Sequence, residues 1–205
     1  MSDTSMRDPK SDHLLTPANS VLVIIDYQPT QINSINSMLR ELLIERIVNV
    51  AELAKGFNIP IILSTVNVAT GINKPTIPRL SKVLEGIDSI DRTSINAWED
   101  AAFYEAVKTV GRKKIVMTAL WTEACLTFPT LDALQEGYEV YPVVDAVGGT
   151  SVVAHETALR RVEQAGAKLT TIAQLACELQ RDWNRKDTAP IMVKALTDAG
   201  AFLKM

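Results

Sequence analysis

Two cysteines and two histidines are all that this chain of 205 residues holds of the soft and imidazole ligands. Cys125 and Cys177 belong to no CxxC pair, which argues against a thiolate zinc site and against a disulfide framework. His13 lies in a polar N-terminal segment and His155 in a predicted helix. With no HxH or HExxH spacing, no metal centre built on histidine is expected, and most Cys-His and Ser-His-Asp schemes fall away too. Glycine is missing where a dinucleotide would need it: the turn after the first predicted strand reads Asp26-Tyr27-Gln28-Pro29-Thr30-Gln31, and no P-loop occurs elsewhere. No apolar run approaches the ~18 residues of a bilayer span. A net charge of -3 and a pI near 5.5 supply no broad electrostatic footprint for nucleic acid or an anionic membrane. With a polar rather than apolar start, the chain reads as cytoplasmic, without cofactor, nucleic-acid partner or membrane partner.

What remains is the composition of an ordinary globular protein, 47% hydrophobic and 22% charged, at a length that one core can serve. Residues 1–20 read as a polar arm, carrying Pro9 and Pro17, that runs over the surface or onto a neighbouring subunit. Residues 21–205 read as a single domain. Val21-Leu22-Val23-Ile24-Ile25-Asp26 predicts a strand covered on both faces and ending in an acid. Tyr27 to Thr30 read as a loop, after which Met38, Leu39, Leu42, Leu43, Ile47, Val50 and Leu53 recur at helical spacing up to Lys55-Gly56.

Residues 59–66 predict a second strand, 67–78 a long polar loop of the kind that forms lids or subunit contacts, and 89–91 a short third strand. Glu99-Asp100 open a helix that runs to Gly111. Residues 115–119 predict a fourth strand, followed by a helix bearing Cys125 that runs towards Gly137. Residues 139–145 predict a fifth strand and 168–171 a sixth, with a helix through His155 between them. Helices over 172–183 and 190–203 close the chain, the last opening on Pro190. The alternation predicts an α/β fold, a parallel sheet with helices on both faces, whose ligands sit beyond the carboxyl ends of the strands.

Asp26, Arg92 and Cys125 all fall on that rim. Cys125 reads as a packed thiol or as a nucleophile. Beside a helix N-terminus its pKa would fall into the range ~3.5 to 7.5. Asp26 reads as a loop-bracing carboxylate or as the general base for that thiol. Arg92 reads as a surface partner of Asp91 or Glu99, or as a fixed charge that favours thiolate and carboxylate. Gln28 could bind substrate or brace its loop, and Asn96 could donate to a substrate carbonyl. Trp98 packs under the rim, at an interface or against substrate. Glu123 reads as a helix cap, Cys177 as a packed thiol, and His155 as a helix-surface or subunit-contact residue.

Three stretches resemble the isochorismatase-like cysteine hydrolases. They are Val23-Ile24-Ile25-Asp26-Tyr27-Gln28, Ala119-Leu120-Trp121-Thr122-Glu123-Ala124-Cys125-Leu126, and Ala133-Leu134-Gln135-Glu136-Gly137-Tyr138 with Val144-Asp145-Ala146. Ile95-Asn96-Ala97-Trp98-Glu99 and residues 176–183 look like a bacterial subgroup of oligomeric hydrolases. The resemblance implies a three-layer α/β/α fold with a six-stranded parallel sheet in the order 3-2-1-4-5-6, plus C-terminal helices. It implies Asp26 as base, Cys125 as nucleophile, a cis peptide between Leu120 and Trp121, and an oxyanion site made by the N–H groups of Trp121 and Cys125.

The family's lysine has no clear match; the nearest basic residue in the right segment is Arg92, and arginine does not readily trade a proton. Trp121 replaces a small residue and Ala119 a glycine, which suggests an aromatic-walled pocket. The metal-binding histidines of the nicotinamidase branch find no match. The expected activity is hydrolysis of a small-molecule amide or related C–N or ester bond by a homo-oligomer, possibly an octamer. The alternatives are a catalytically impaired small-carbonyl-binding protein of the same fold, and a redox-active thiol protein, for which no resolving cysteine lies nearby.

Overall fold

The computed structural model describes residues 7–201. Its centre is β1 (Ser20–Ile25), every residue of which is buried. Alternate side chains go to opposite faces of a strand. Leu22 and Ile24 enter one hydrophobic core, and Val21, Val23 and Ile25 enter the other. β2 (Ile61–Val66) and β4 (Lys114–Ala119) flank β1 in parallel, with Ile25 opposite Ser64 on one side and Ala119 on the other. β3 (Ser89–Arg92) and β5 (Glu139–Pro142) form the two edges, giving the order β3-β2-β1-β4-β5.

Helices cover both faces and make three layers. The first core packs the sheet against α2 (Arg40–Gly56), α3 (Pro78–Val83), α7 (Ile172–Gln180) and α8 (Ala189–Asp198). The second packs it against α4 (Ala101–Val110), α5 (Thr127–Gln135) and α6 (Val152–Gln164). Local chemistry sets the ends of α4. Asp100 accepts from the Phe103 N–H at the start, and Gly111 closes the helix at φ +66°, where a side chain would be strained. Among the described residues no helix is long and apolar enough to cross a membrane.

The sheet has five strands rather than six. Residues 168–171 meet the sheet at one isolated bridge, Val143 with Thr170, and the chain then turns at once into α7 because Thr171 caps that helix through Gln174 N–H. β5 also stops earlier than expected. The strand ends at Pro142, and Val144–Ala146 form a short 3₁₀ turn. The segment expected to be a loop after β1 contains a short helix, α1 (Pro29–Asn33), with proline in its first turn.

Residues 7–19 run against α7 and the residue that ends it. Leu15 is fully buried, its N–H donates to Glu178, and Arg181 binds both Asp12 and the Leu15 carbonyl. Residues 1–6, and the end of the last predicted helix at 202–203, lie outside the described residues.

Candidate active site

Strand order reverses between β1 and β4, so the crevice beyond their carboxyl ends is where a parallel sheet opens to a ligand. Asp26 is the first residue past β1. Its backbone adopts φ +63°, a left-handed turn that aspartate tolerates better than most residues, and its N–H donates to the Ser64 carbonyl. Arg92 ends β3, two strands away. Neighbouring strands lie about 4.8 Å apart, so a side chain from β3 must span two such gaps to reach the end of β1. The guanidinium does so, donating to the Thr65 carbonyl of β2 at 3.3 Å and gripping Asp26 through Nη1–Oδ1 at 3.0 Å and Nη2–Oδ2 at 2.7 Å. Both side chains are 0% exposed.

Arg92 therefore pairs with neither Asp91 nor Glu99. The Asp91 carboxylate faces the other side of the strand and accepts from the N–H groups of Val68 and Ala69 and from the Thr65 hydroxyl. A cavity of about 430 Å³ opens there, lined by Leu63, Thr65, Val68, Leu84, Ile87 and Asp91 among others. Successive strand residues point to opposite faces, so this cavity does not belong to the Arg92 side.

Beyond β4 the Leu120–Trp121 peptide is cis. Residues Thr122–Leu126 then form one π-helical turn, in which the Leu126 N–H donates to the Trp121 carbonyl five residues back. Cys125 rides on this turn ahead of α5. Its thiol interacts with the Asp26 carboxylate, and the backbone N–H of Trp121 exerts a weak stabilising pull on the thiolate. Burial pushes the thiol up to about 12, and the negative charge of Asp26 adds to the effect, while Arg92 and the Trp121 N–H oppose it. The expected low pKa is thus corrected. Desolvation beside a carboxylate outweighs the favourable end of a helix that begins only at Thr127. Burial also raises the Asp26 carboxyl above its ordinary value, against the pull of Arg92. The arrangement holds a neutral thiol next to a carboxylate of strengthened basicity, so a proton can pass between them as the sulfur attacks.

The remaining predicted residues are placed differently from one another. Gln28 is fully buried, its amide donating to the carbonyls of Val66 and Lys74 and accepting from the Val66 N–H. It braces loop 67–77 instead of facing a ligand. The Asn96 amide donates to Asp132 at 2.7 Å and accepts from the Trp98 N–H, so it holds a turn together. Trp98 stacks edge-on against Phe103, Tyr104 and Tyr138, with Nε1 on Glu136. All three candidate substrate contacts hold these bonds within the chain.

The Trp121 side chain is half-buried against the first core, its indole N–H donating to the Ser34 hydroxyl at 2.6 Å. Glu123 accepts from the Thr150 N–H and hydroxyl, and Cys177 is exposed rather than packed. His155, expected at the helix surface or a subunit contact, is partly buried on α6. Its Nδ1 lies 2.8 Å from the Thr122 hydroxyl, a link between α6 and the Cys125 turn that no sequence spacing announces.

Residues 20–174 match the isochorismatase domain family. The chain is 35% identical over 166 residues to the probable hydrolase YcaC of Escherichia coli, covering 80% of this chain and 79% of that protein. The crystal structure of E. coli YcaC, described as an octameric hydrolase of unknown specificity, superposes with a TM-score of 0.84 at 32% identity over 92% of each chain. YcaC from Pseudomonas aeruginosa, solved with hexane-2,5-diol and covalent acrylamide, gives 0.81 at 30% identity over 93% of this chain and 98% of its own. The buried acid after β1, the cysteine after β4 and these matches agree: the chain belongs to the isochorismatase family of hydrolases.

Proposed function

We propose that this protein cleaves a small-molecule amide, or a related C–N or ester bond, through a thioester on Cys125. The observation that carries the reading is the Cys125 thiol set against the buried Asp26–Arg92 pair. As Sγ attacks the substrate carbonyl carbon, Asp26 takes the thiol proton, and the N–H groups of Trp121 and Cys125 hold the oxygen that becomes anionic. The C–N bond then breaks and Asp26 returns the proton to the leaving amine. Water adds to the thioester and gives its proton to Asp26. The C–S bond breaks, the acid leaves, and the proton passes back to sulfur. Arg92 stays charged throughout and keeps Asp26 aimed. Trp121 forms a wall of the substrate site.

The protein acts as a homo-oligomer, as its octameric relative does. Support comes from Leu39, Ile72, Ile95, Val152 and Val153, exposed large apolar residues on the loops and helix starts at the carboxyl ends of the strands. A monomer in sedimentation would overturn this part.

A panel of small amides, carbamates and ureas, tested against wild type and Cys125→Ala, decides the chemistry. Turnover that disappears with the thiol supports the reading, and turnover retained in Cys125→Ala sinks it. A second reading is a small-carbonyl-binding protein that does not turn its ligand over, favoured by a thiol held near 12. Saturable binding without hydrolysis across the same panel would select it.

A further inference from the structure

The turn that carries Cys125 is held from outside by a side chain that the proposed chemistry does not use. His155, on α6, places Nδ1 at 2.8 Å from Oγ1 of Thr122, the first residue of the π-helical turn. Thr122 is fully buried. Its N–H donates to the Gly148 carbonyl at 2.9 Å, and its own carbonyl accepts the Thr127 hydroxyl at 2.6 Å. The backbone bonds tie Thr122 to the loop after β5 and to α5, and the imidazole ties it to α6. The close approach of α6 depends on Gly149, where a Cβ would come within 2.7 Å of Glu123 Oε2, 3.0 Å of His155 Cβ and 3.1 Å of His155 N.

Burial holds His155 below its ordinary value, while Glu123 and Glu156, the charged groups facing it, pull the other way. The ring is therefore neutral near pH 7 and acts on Thr122 as a hydrogen-bonding group. Thr122 lies between Trp121, whose N–H is one of the two proposed oxyanion donors, and Cys125, three residues on. Any displacement of Thr122 moves donor and nucleophile relative to each other.

We infer that His155 is a positioning residue: its hydrogen bond to Thr122 sets the turn so that the Trp121 N–H and the Cys125 sulfur stay aligned for acyl transfer. It touches no reacting atom. The inference rests on the hydrolase reading above. Acyl transfer to sulfur needs both the thiol and the oxyanion donors, whereas alkylation needs the thiol alone, so the two reactions separate alignment from mere exposure.

The test uses the full chain carrying Cys177→Ser, with p-nitrophenyl acetate as acyl donor and iodoacetamide as alkylating agent. His155→Ala and Thr122→Val should each slow acylation about tenfold and alkylation by less than about twofold. The double variant should be no slower than either single one, since both remove the same bond. His155→Asn keeps a polar atom at the δ position and should recover acylation to within about threefold of wild type. Thr122→Val, close to threonine in volume, carries the test if His155→Ala fails to fold. Unchanged acylation, multiplicative losses in the double variant, or acylation and alkylation falling together would each overturn the inference. Wild type that p-nitrophenyl acetate does not acylate at all would instead sink the hydrolase reading, and this inference with it.

Discussion

Arg92 and Asp26, 66 residues apart in sequence, meet as a two-pronged ion pair from which solvent is wholly excluded. The other prongs of the guanidinium reach the carbonyls of Thr65 and Ile95, and Nε is buried without a partner. Replacing Arg92 with alanine strands a buried carboxylate, a change that costs about 3–5 kcal/mol. Urea unfolding should show that loss for Arg92→Ala and a smaller one for Arg92→Lys, which keeps the charge and loses the fork. An Arg92→Ala protein as stable as wild type would remove the pair from the account of the fold.

Asp26→Asn should separate thiol reactivity from catalysis. Burial and the Asp26 charge raise the thiol pKa and Arg92 lowers it, so neutralising residue 26 removes one raising cause while burial and the pull of Arg92 remain. Alkylation of Cys125 at pH 8 should then rise roughly tenfold, the equivalent of one pKa unit. Hydrolysis should fall for want of a proton acceptor. In the wild type the alkylation rate should still be climbing at pH 10, because the thiol lies near 12. A wild-type plateau at pH 8 would contradict the burial argument.

Gln28→Ala removes three hydrogen bonds that hold loop 67–77 against the turn after β1. The expected cost is about 1–3 kcal/mol, with faster amide exchange at residues 66–74. Should the variant instead keep its stability and lose substrate affinity alone, Gln28 contacts the ligand after all.

Glu139 tests the opposite end of the sheet. Lys114, Lys168 and Tyr141 together outweigh its burial and hold its carboxyl down at about 2, below the ordinary 4.5. A depressed acid contributes stability above its unfolded pKa and loses it as pH falls through the folded value. Glu139→Gln should therefore melt below wild type at pH 7, and the gap should close between pH 4.5 and 2. The cost at neutral pH is about 1–2 kcal/mol, because the nearly buried Lys114 ammonium loses its counter-ion. A gap that does not change with pH would mean that packing, not charge, was lost.

Gly149→Ala should disturb the nucleophile turn without touching it chemically. The added methyl meets Glu123 Oε2 and the His155 backbone, and overpacking of this kind costs about 1–3 kcal/mol. Thermal melting should show the loss, and acylation of Cys125 should slow with it. Serine at 149, larger still, should be worse.

The pattern of elements was legible because it is written in short stretches. Continuous apolar runs marked β1 and β4, helical spacing marked α2, and Asp100 with Gly111 marked the ends of α4. Asp26 and Cys125 stood out as reactive groups at strand ends for the same local reason. The sixth strand failed on geometry that periodicity does not carry: Thr171 starts a helix before residues 168–171 can extend a ladder. The roles of Gln28 and Asn96 stayed open in the sequence because an amide offers the same atoms to a substrate as to a loop, and its neighbours in sequence do not say which will arrive.

The sequence by itself determined that acid, arginine and thiol would gather on one rim, since residues at the ends of parallel strands share an edge whatever else happens. Only the tertiary structure decided that Arg92 reaches Asp26 rather than Asp91 two atoms' breadth of backbone away, that the thiol rests protonated, and that His155 braces the turn it rides on. Those outcomes depend on distance across strands and on exclusion of water. Neither quantity exists until the chain has folded.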